Sequence, residues 1–203
     1  MLPALVTSVA GAQRVNEDLA IAAENDRSVE VRRMLERGVS PDTAGPNGDP
    51  VLVIAARAGG GATVDVLLAA HASVSAKTRY GDTALMAAAL SGRLDIVTKL
   101  RRAGATLDAP GWTALIYAAT GGHDDVVRYL LVEGADINAA SPNGTTALMM
   151  AVREGRLSTA ELLIVQGADV NRRNENGASA LTWATRDNDK AMADRLRRAG
   201  ARD

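Results

Sequence analysis

Gly144-Thr145-Thr146-Ala147-Leu148 is followed one period later by Gly177-Ala178-Ser179-Ala180-Leu181 and preceded by Gly111-Trp112-Thr113-Ala114-Leu115. Two further copies stand upstream, Gly81-Asp82-Thr83-Ala84-Leu85 and the looser Gly48-Asp49-Pro50-Val51-Leu52, and the steps between successive glycines are 33, 30, 33 and 33 residues. A fixed period in this range marks stacked repeats, in which each unit is too small to bury its own apolar face. The register extends beyond the motif. Alanine recurs at Ala55, Ala88, Ala118, Ala151 and Ala184, and a second glycine at Gly38, Gly104, Gly134, Gly167 and Gly200. One period upstream of Gly48, Val15 is followed by Leu19 and Ala22 in the matching places, which makes six units with approximate bounds 15–47, 48–80, 81–110, 111–143, 144–176 and 177–203.

Each unit reads as two short helices. Thr-Ala-Leu starts the first, a glycine such as Gly92, Gly122 or Gly155 turns the chain, and the second carries apolar residues such as Ile96, Val97 and Leu100 at helical spacing. Thr83, Thr113, Thr146 and Ser179 stand where a side-chain oxygen caps the first helix. Gly104, Gly134 and Gly167 stand where a left-handed residue ends the second. The small alanines let neighbouring helices approach closely, so the expected core is a series of thin layers. The absence of phenylalanine fits such a core.

Gly-x-Thr-Ala-Leu-x-x-Ala-Ala, continued by Val-Val-x-x-Leu-Leu-x-x-Gly-Ala-Asp-Ile-Asn, resembles the ankyrin repeat, most clearly over Gly111 to Asn138 and Gly144 to Asn171. The resemblance covers Val15 to Asp203. It implies an all-α ankyrin repeat solenoid of about six stacked helix-turn-helix repeats with short β-hairpin fingers, serving as a protein-binding module rather than an enzyme. Where the family has Thr-Pro-Leu-His, this chain has Thr-Ala-Leu-Met at Thr83 and Thr146 and Thr-Ala-Leu-Ile at Thr113, so the histidine's hydrogen bonds are missing.

In such repeats partners meet the finger tips and the exposed, concave side of the first helices. The tips correspond to Arg79, Tyr80 and Asp82, to Trp112, to Asn143 and Thr145, and to Glu175 and Asn176. The helix faces correspond to Arg57, Leu90, Thr120, Arg153 and Arg186. Tyrosine, tryptophan and arginine are enriched among binding hot spots, which makes Tyr80, Trp112 and Arg153 the expected anchors. Trp112 packing over the neighbouring finger is an equal alternative, whereas Tyr117 and Trp183 fall inside the Leu-to-Ala stretch and read as packing residues. The finger between Gly104 and Gly111 is three residues shorter than its neighbours, which would leave a notch beside Trp112 or represent tolerated loop variation. The partner is a protein of unknown identity, bound by a monomer. Two sharper readings stay open: an inhibitor or immunity-type protein that neutralises an enzyme, and an accessory factor that supports an oxidative-stress enzyme.

Other chemistry finds little support. The 23 basic and 24 acidic residues nearly balance, which argues against a generic nucleic-acid or membrane-surface binder. Arginines and lysines on the second helices, such as Lys99, Arg101, Arg102, Arg195, Arg197 and Arg198, fit stabilisation by the helix dipole better than phosphate binding. There is no cysteine, and two histidines in separate repeats assemble neither a zinc site nor a nucleophile–base pair, so no catalytic residue, cofactor or metal is expected. His123 occupies an ordinary turn position, whereas His71 stands where other units have the helix-ending glycine. Gly59-Gly60-Gly61 lacks the Lys-Ser/Thr of a phosphate loop.

Residues 1–14 lie outside the repeats. Met1 to Ala12 is apolar and ends in Ala10-Gly11-Ala12, like the end of a signal peptide, although no lysine or arginine precedes it. If it is one, the mature chain begins near Gln13, lies in the periplasm and resembles the small periplasmic ankyrin proteins of Gram-negative bacteria. Otherwise the segment covers the first repeat and the protein is cytoplasmic. No segment is long enough to insert across a membrane.

Overall fold

The computed structural model describes residues 9–108 and 110–202, so residues 1–8 of the signal-like segment lie outside the described residues. Twelve helices and no strand occur among the described residues, in two compact units.

The first unit, residues 1–84, contains α1 (Val9–Glu24), α2 (Ser28–Glu36), α3 (Val51–Ala58) and α4 (Gly61–Ala69). α1 lies against α3 and α2 against α4, while each helix also packs on its partner in the pair. Leu19, Ala22, Ala23, Leu52, Ala55, Val64 and Leu67 are buried between them. At roughly 1.5–3 kcal/mol for each large apolar side chain removed from water, this stacking outweighs the weak preference of eight- or nine-residue segments for helix. α1 starts upstream of Val15, and residues 9–14 form its first turns.

The second unit, residues 85–203, contains α5 (Ala84–Leu90, entered at its second residue), α6 (Leu94–Arg102), α7 (Ala114–Gly121), α8 (Asp124–Val132), α9 (Ala147–Arg153), α10 (Leu157–Val165), α11 (Ala180–Arg186) and α12 (Lys190–Arg198). α7, α9 and α11 pack in sequence as one layer, and α6, α8 and α10 as another. The recurrent leucines and alanines, among them Leu115, Ala118, Leu148, Ala151, Leu181 and Ala184, fill the space within the unit.

The helix ends follow the sequence closely. Thr113, Thr146 and Ser179 accept hydrogen bonds from the backbone N–H of Ile116, Met149 and Thr182 at 3.3, 3.4 and 3.2 Å. At the other end of α6, Gly104 at φ +92° donates to the Arg101 carbonyl while Ala105 donates to Leu100, the paired bonds of a Schellman cap. His71 makes the equivalent bonds after α4 with φ +62°, a conformation that costs a residue with a Cβ more than glycine.

Between the helix pairs the chain makes tight turns. Ser141 N–H donates to the Thr145 carbonyl and Gly144 N–H to Ser141, and Asn174 and Gly177 repeat both bonds one period later. Isolated antiparallel bridges occur at Ala44–Pro50 and Ala140–Thr146. Successive turns are laced together: Asp108, Asn138 and Asn171 accept from the backbone N–H of Asp136, Asp169 and Arg202 at 2.9, 2.8 and 2.9 Å. The shorter finger keeps this ladder, because its missing residues fall between Asp108 and Gly111. Ala109, inside that finger, is outside the described residues.

Candidate functional site

The second unit carries a groove built from repeat-equivalent residues. α9 contributes Met150 and Arg153, and α11 contributes Trp183 and Arg186 at the same register positions. The turns ahead of these helices add Asn143 and Thr145, then Asn174, Asn176 and Ala178. Trp112, just before α7, completes the lining of a space of about 370 Å³.

Its floor is part of the core. Trp183 is only 8% exposed, and the Arg153 guanidinium lies 6.0 Å from its ring centroid. Trp112 is half-buried against Tyr117, with ring centroids 5.8 Å apart and planes tilted by 42°. Tyr117, Met150 and Trp183 occupy one register position on α7, α9 and α11, which places a large side chain where each following layer begins.

Local hydrogen bonding fixes the turn walls. Asn143 Oδ1 accepts from Ser141 Oγ at 2.6 Å and from Thr145 N–H at 3.2 Å. Asn174 Oδ1 accepts from the N–H groups of Asn176 and Ala178, both at 3.0 Å. Because backbone N–H groups can only donate, these bonds settle which end of each side-chain amide is oxygen. The two turns also touch directly: Glu175 N–H donates to the Asn143 carbonyl at 2.9 Å. A Cβ on Gly144, at φ +78°, would lie 3.0 Å from Asn174 Cα, so both backbone conformation and close approach call for glycine there.

Among the described residues, no carboxylate lines the groove. The nearest ionic partners of its arginines are their own chain neighbours, Glu154 at 3.7 Å from Arg153 Nε and Asp187 at 3.0 Å from Arg186 Nε. All four side chains are well exposed, so these pairs are weak and screened.

Among the positions expected from sequence, Trp112, Asn143, Thr145, Arg153 and Arg186 thus share one groove. Thr145 lines it from a buried position, 3% exposed. Leu90 is exposed, and its carbonyl lies 2.9 Å from His123 Nε2, while the Thr120 hydroxyl donates to its own helix at Ile116. Arg57, Arg79, Tyr80 and Asp82 belong to the first unit. There, Arg57 pairs with Asp49 at 2.9 Å, and Arg79 lies 4.7 Å from the ring centroid of Tyr80, itself 74% exposed. Met150, Asn174 and Ala178 line the groove without having been anticipated. The 33-residue offset of Met150 from Tyr117 and Trp183 was the available signal for the first, and the turn-forming Asn-x-Asn-Gly for the second. Nothing in sequence distinguished Ala178.

Among the described residues, no group of three or more His, Asp or Glu side chains is placed to hold a metal ion, and no helix is long and apolar enough to cross a membrane.

Stacked short helix pairs, capped and laced by turns, with a groove formed at repeated positions, define a helical repeat protein. The family model for ankyrin repeats (3 copies) matches residues 19–110, 102–174 and 133–202, and the chain belongs to the ankyrin-repeat family. Ankyrin repeats are generally modules for protein–protein interaction. No curated protein matches the chain.

Proposed function

We propose that this chain is a non-enzymatic protein-interaction module that docks a protein partner in the groove between Trp112, Arg153, Trp183 and Arg186. The observation that carries the reading is the composition of that groove: Trp112, Arg153 and Arg186 brought together from three successive repeats over a floor that includes Trp183, the residue types that dominate binding hot spots. The scaffold beneath is suited to the task, because packing of α9 on α11 and the bonds between their turns fix the backbone from which these side chains project, which lowers the entropy lost on binding. Ankyrin-family membership supports a protein rather than a small molecule as the partner.

The test is affinity capture from native lysate with the wild-type chain and with Trp112→Ala/Arg153→Ala, read by quantitative mass spectrometry. A protein retained by wild type and lost from the variant is the expected result. Equal retention by both chains would place docking elsewhere and overturn the proposal.

A further inference from the structure

Most polar side-chain groups around the groove are hydrogen-bond donors, the Asn176 oxygen and the Thr145 hydroxyl being the exceptions. Arg153 and Arg186 have no acceptor atoms, and each turns Nε toward its neighbouring carboxylate, leaving the terminal Nη groups without a hydrogen-bond partner among the described residues. Trp112 and Trp183 offer only indole N–H. Asn143 and Asn174 have committed their oxygens to their own turns, which leaves the Nδ2 groups as donors. Asn176 is the one lining amide whose oxygen is uncommitted. Among the described residues no carboxylate belongs to the lining itself, and Glu154 and Asp187, which face the arginines' Nε, stand just outside it.

Resting on the docking site proposed above, we propose that its occupant is an acidic, extended segment of the partner protein, with carboxylates that meet Arg153 and Arg186 and an intervening apolar side chain that points from the opposite edge of the segment toward Met150 and Trp112. A single guanidinium group recognises a carboxylate with two parallel N–H···O bonds, which fixes direction as well as charge. The two arginines sit at equivalent positions on α9 and α11, which pack side by side. Packed helix axes lie roughly 8–10 Å apart. Two carboxylates separated by one residue in an extended chain span about 6.6–6.8 Å, and the flexible arginine stems make up the remainder. The side-chain amides then donate to carbonyls of the segment between.

Nucleic acid is the competing anion. It suits the groove less well, because Trp183 is nearly buried and Trp112 is tilted against Tyr117, so no open stacking platform lies beside the arginines. The whole chain also carries a net charge of −1.

The experiment is an array of random heptapeptides probed with the full chain, in parallel with fluorescence polarisation on labelled dT10. Wild type, Arg153→Ala/Arg186→Ala, Trp112→Ala and Arg101→Ala/Arg195→Ala are compared, with circular dichroism confirming that each is folded. The expected result is enrichment of Glu-x-Glu and Asp-x-Glu patterns with an apolar middle residue. Binding of the best such peptide should fall at least about tenfold in the groove-arginine variant and be retained in the second-helix variant. Bound peptides that are neutral or basic yet depend on Trp112 would leave the docking groove standing and overturn its acidic preference. Peptide binding indifferent to every groove variant, or no peptide binding, would overturn both. Tight dT10 binding that depends on Arg153 and Arg186 would assign the groove to nucleic acid instead.

Discussion

Arginines on the two faces of the second unit are used differently. On the second helices, Arg101 reaches from α6 to Glu133 at 3.3 Å just beyond α8 and also bonds the Ala105 carbonyl, and Arg195 on α12 pairs with Glu161 on α10. These side chains tie one layer to the next. On the groove side, Arg153 and Arg186 contact carboxylates only of their immediate chain neighbours, and the contact with another layer is the looser one of the Arg153 guanidinium 6.0 Å from the Trp183 ring centroid. The same residue type therefore acts as a fastener on one face and as an available donor on the other. Composition cannot reveal this, because an arginine counts the same on either face.

Several substitutions sharpen the contrast. Trp183→Ala should have the largest effect, about 3–5 kcal/mol, because the groove floor is also core and the vacated space cannot be refilled by its neighbours; chemical denaturation measures it, and a loss below about 1 kcal/mol would mean the ring is not part of the packing. Gly144→Ala should cost roughly 1–3 kcal/mol, since it forces a left-handed residue with a Cβ against the Asn174 backbone. An unchanged denaturation midpoint for that variant would show that the two turns are not locked together. His71→Gly relieves positive-φ strain and should stabilise by about 0.5–1 kcal/mol, visible as a raised melting temperature; a lowered one would show that the side chain makes compensating contacts. Glu161→Ala, which releases Arg195, should cost up to about 1 kcal/mol, less at high salt. Arg186→Ala should be the mildest, within about 0.5 kcal/mol of wild type. A larger loss would make it a fastener like Arg195 and erase the distinction.

The fold was legible because it is written several times. A single Thr-Ala-Leu carries little information, but Thr113, Thr146 and Ser179 at one register position, each with its capping bond, leave little room for another reading. His71 was legible for the same reason: a departure from a repeated glycine stands out, and its φ is positive. The site was only partly readable. The sequence placed Trp112, Arg153 and Arg186 on exposed surfaces, but Trp183 was assigned to packing, and its ring belongs to both the core and the groove. Thr145 was expected as a tip residue and is buried, because the turn folds over it. Repeat spacing gives a residue's address along the stack, whereas donor commitment and depth depend on local hydrogen bonds such as those that consume the oxygens of Asn143 and Asn174.

The most direct test of the account is one side-by-side titration, by calorimetry, of the captured partner into wild type, Arg153→Ala/Arg186→Ala and Arg101→Ala/Arg195→Ala, with melting temperatures recorded for all three. The account predicts that the groove variant loses at least about tenfold in affinity with a melting temperature lowered by no more than about 4 °C, while the second-helix variant melts earlier and binds as wild type does. The reverse pattern, with stability lost from the groove variant and affinity lost from the second-helix variant, would contradict it.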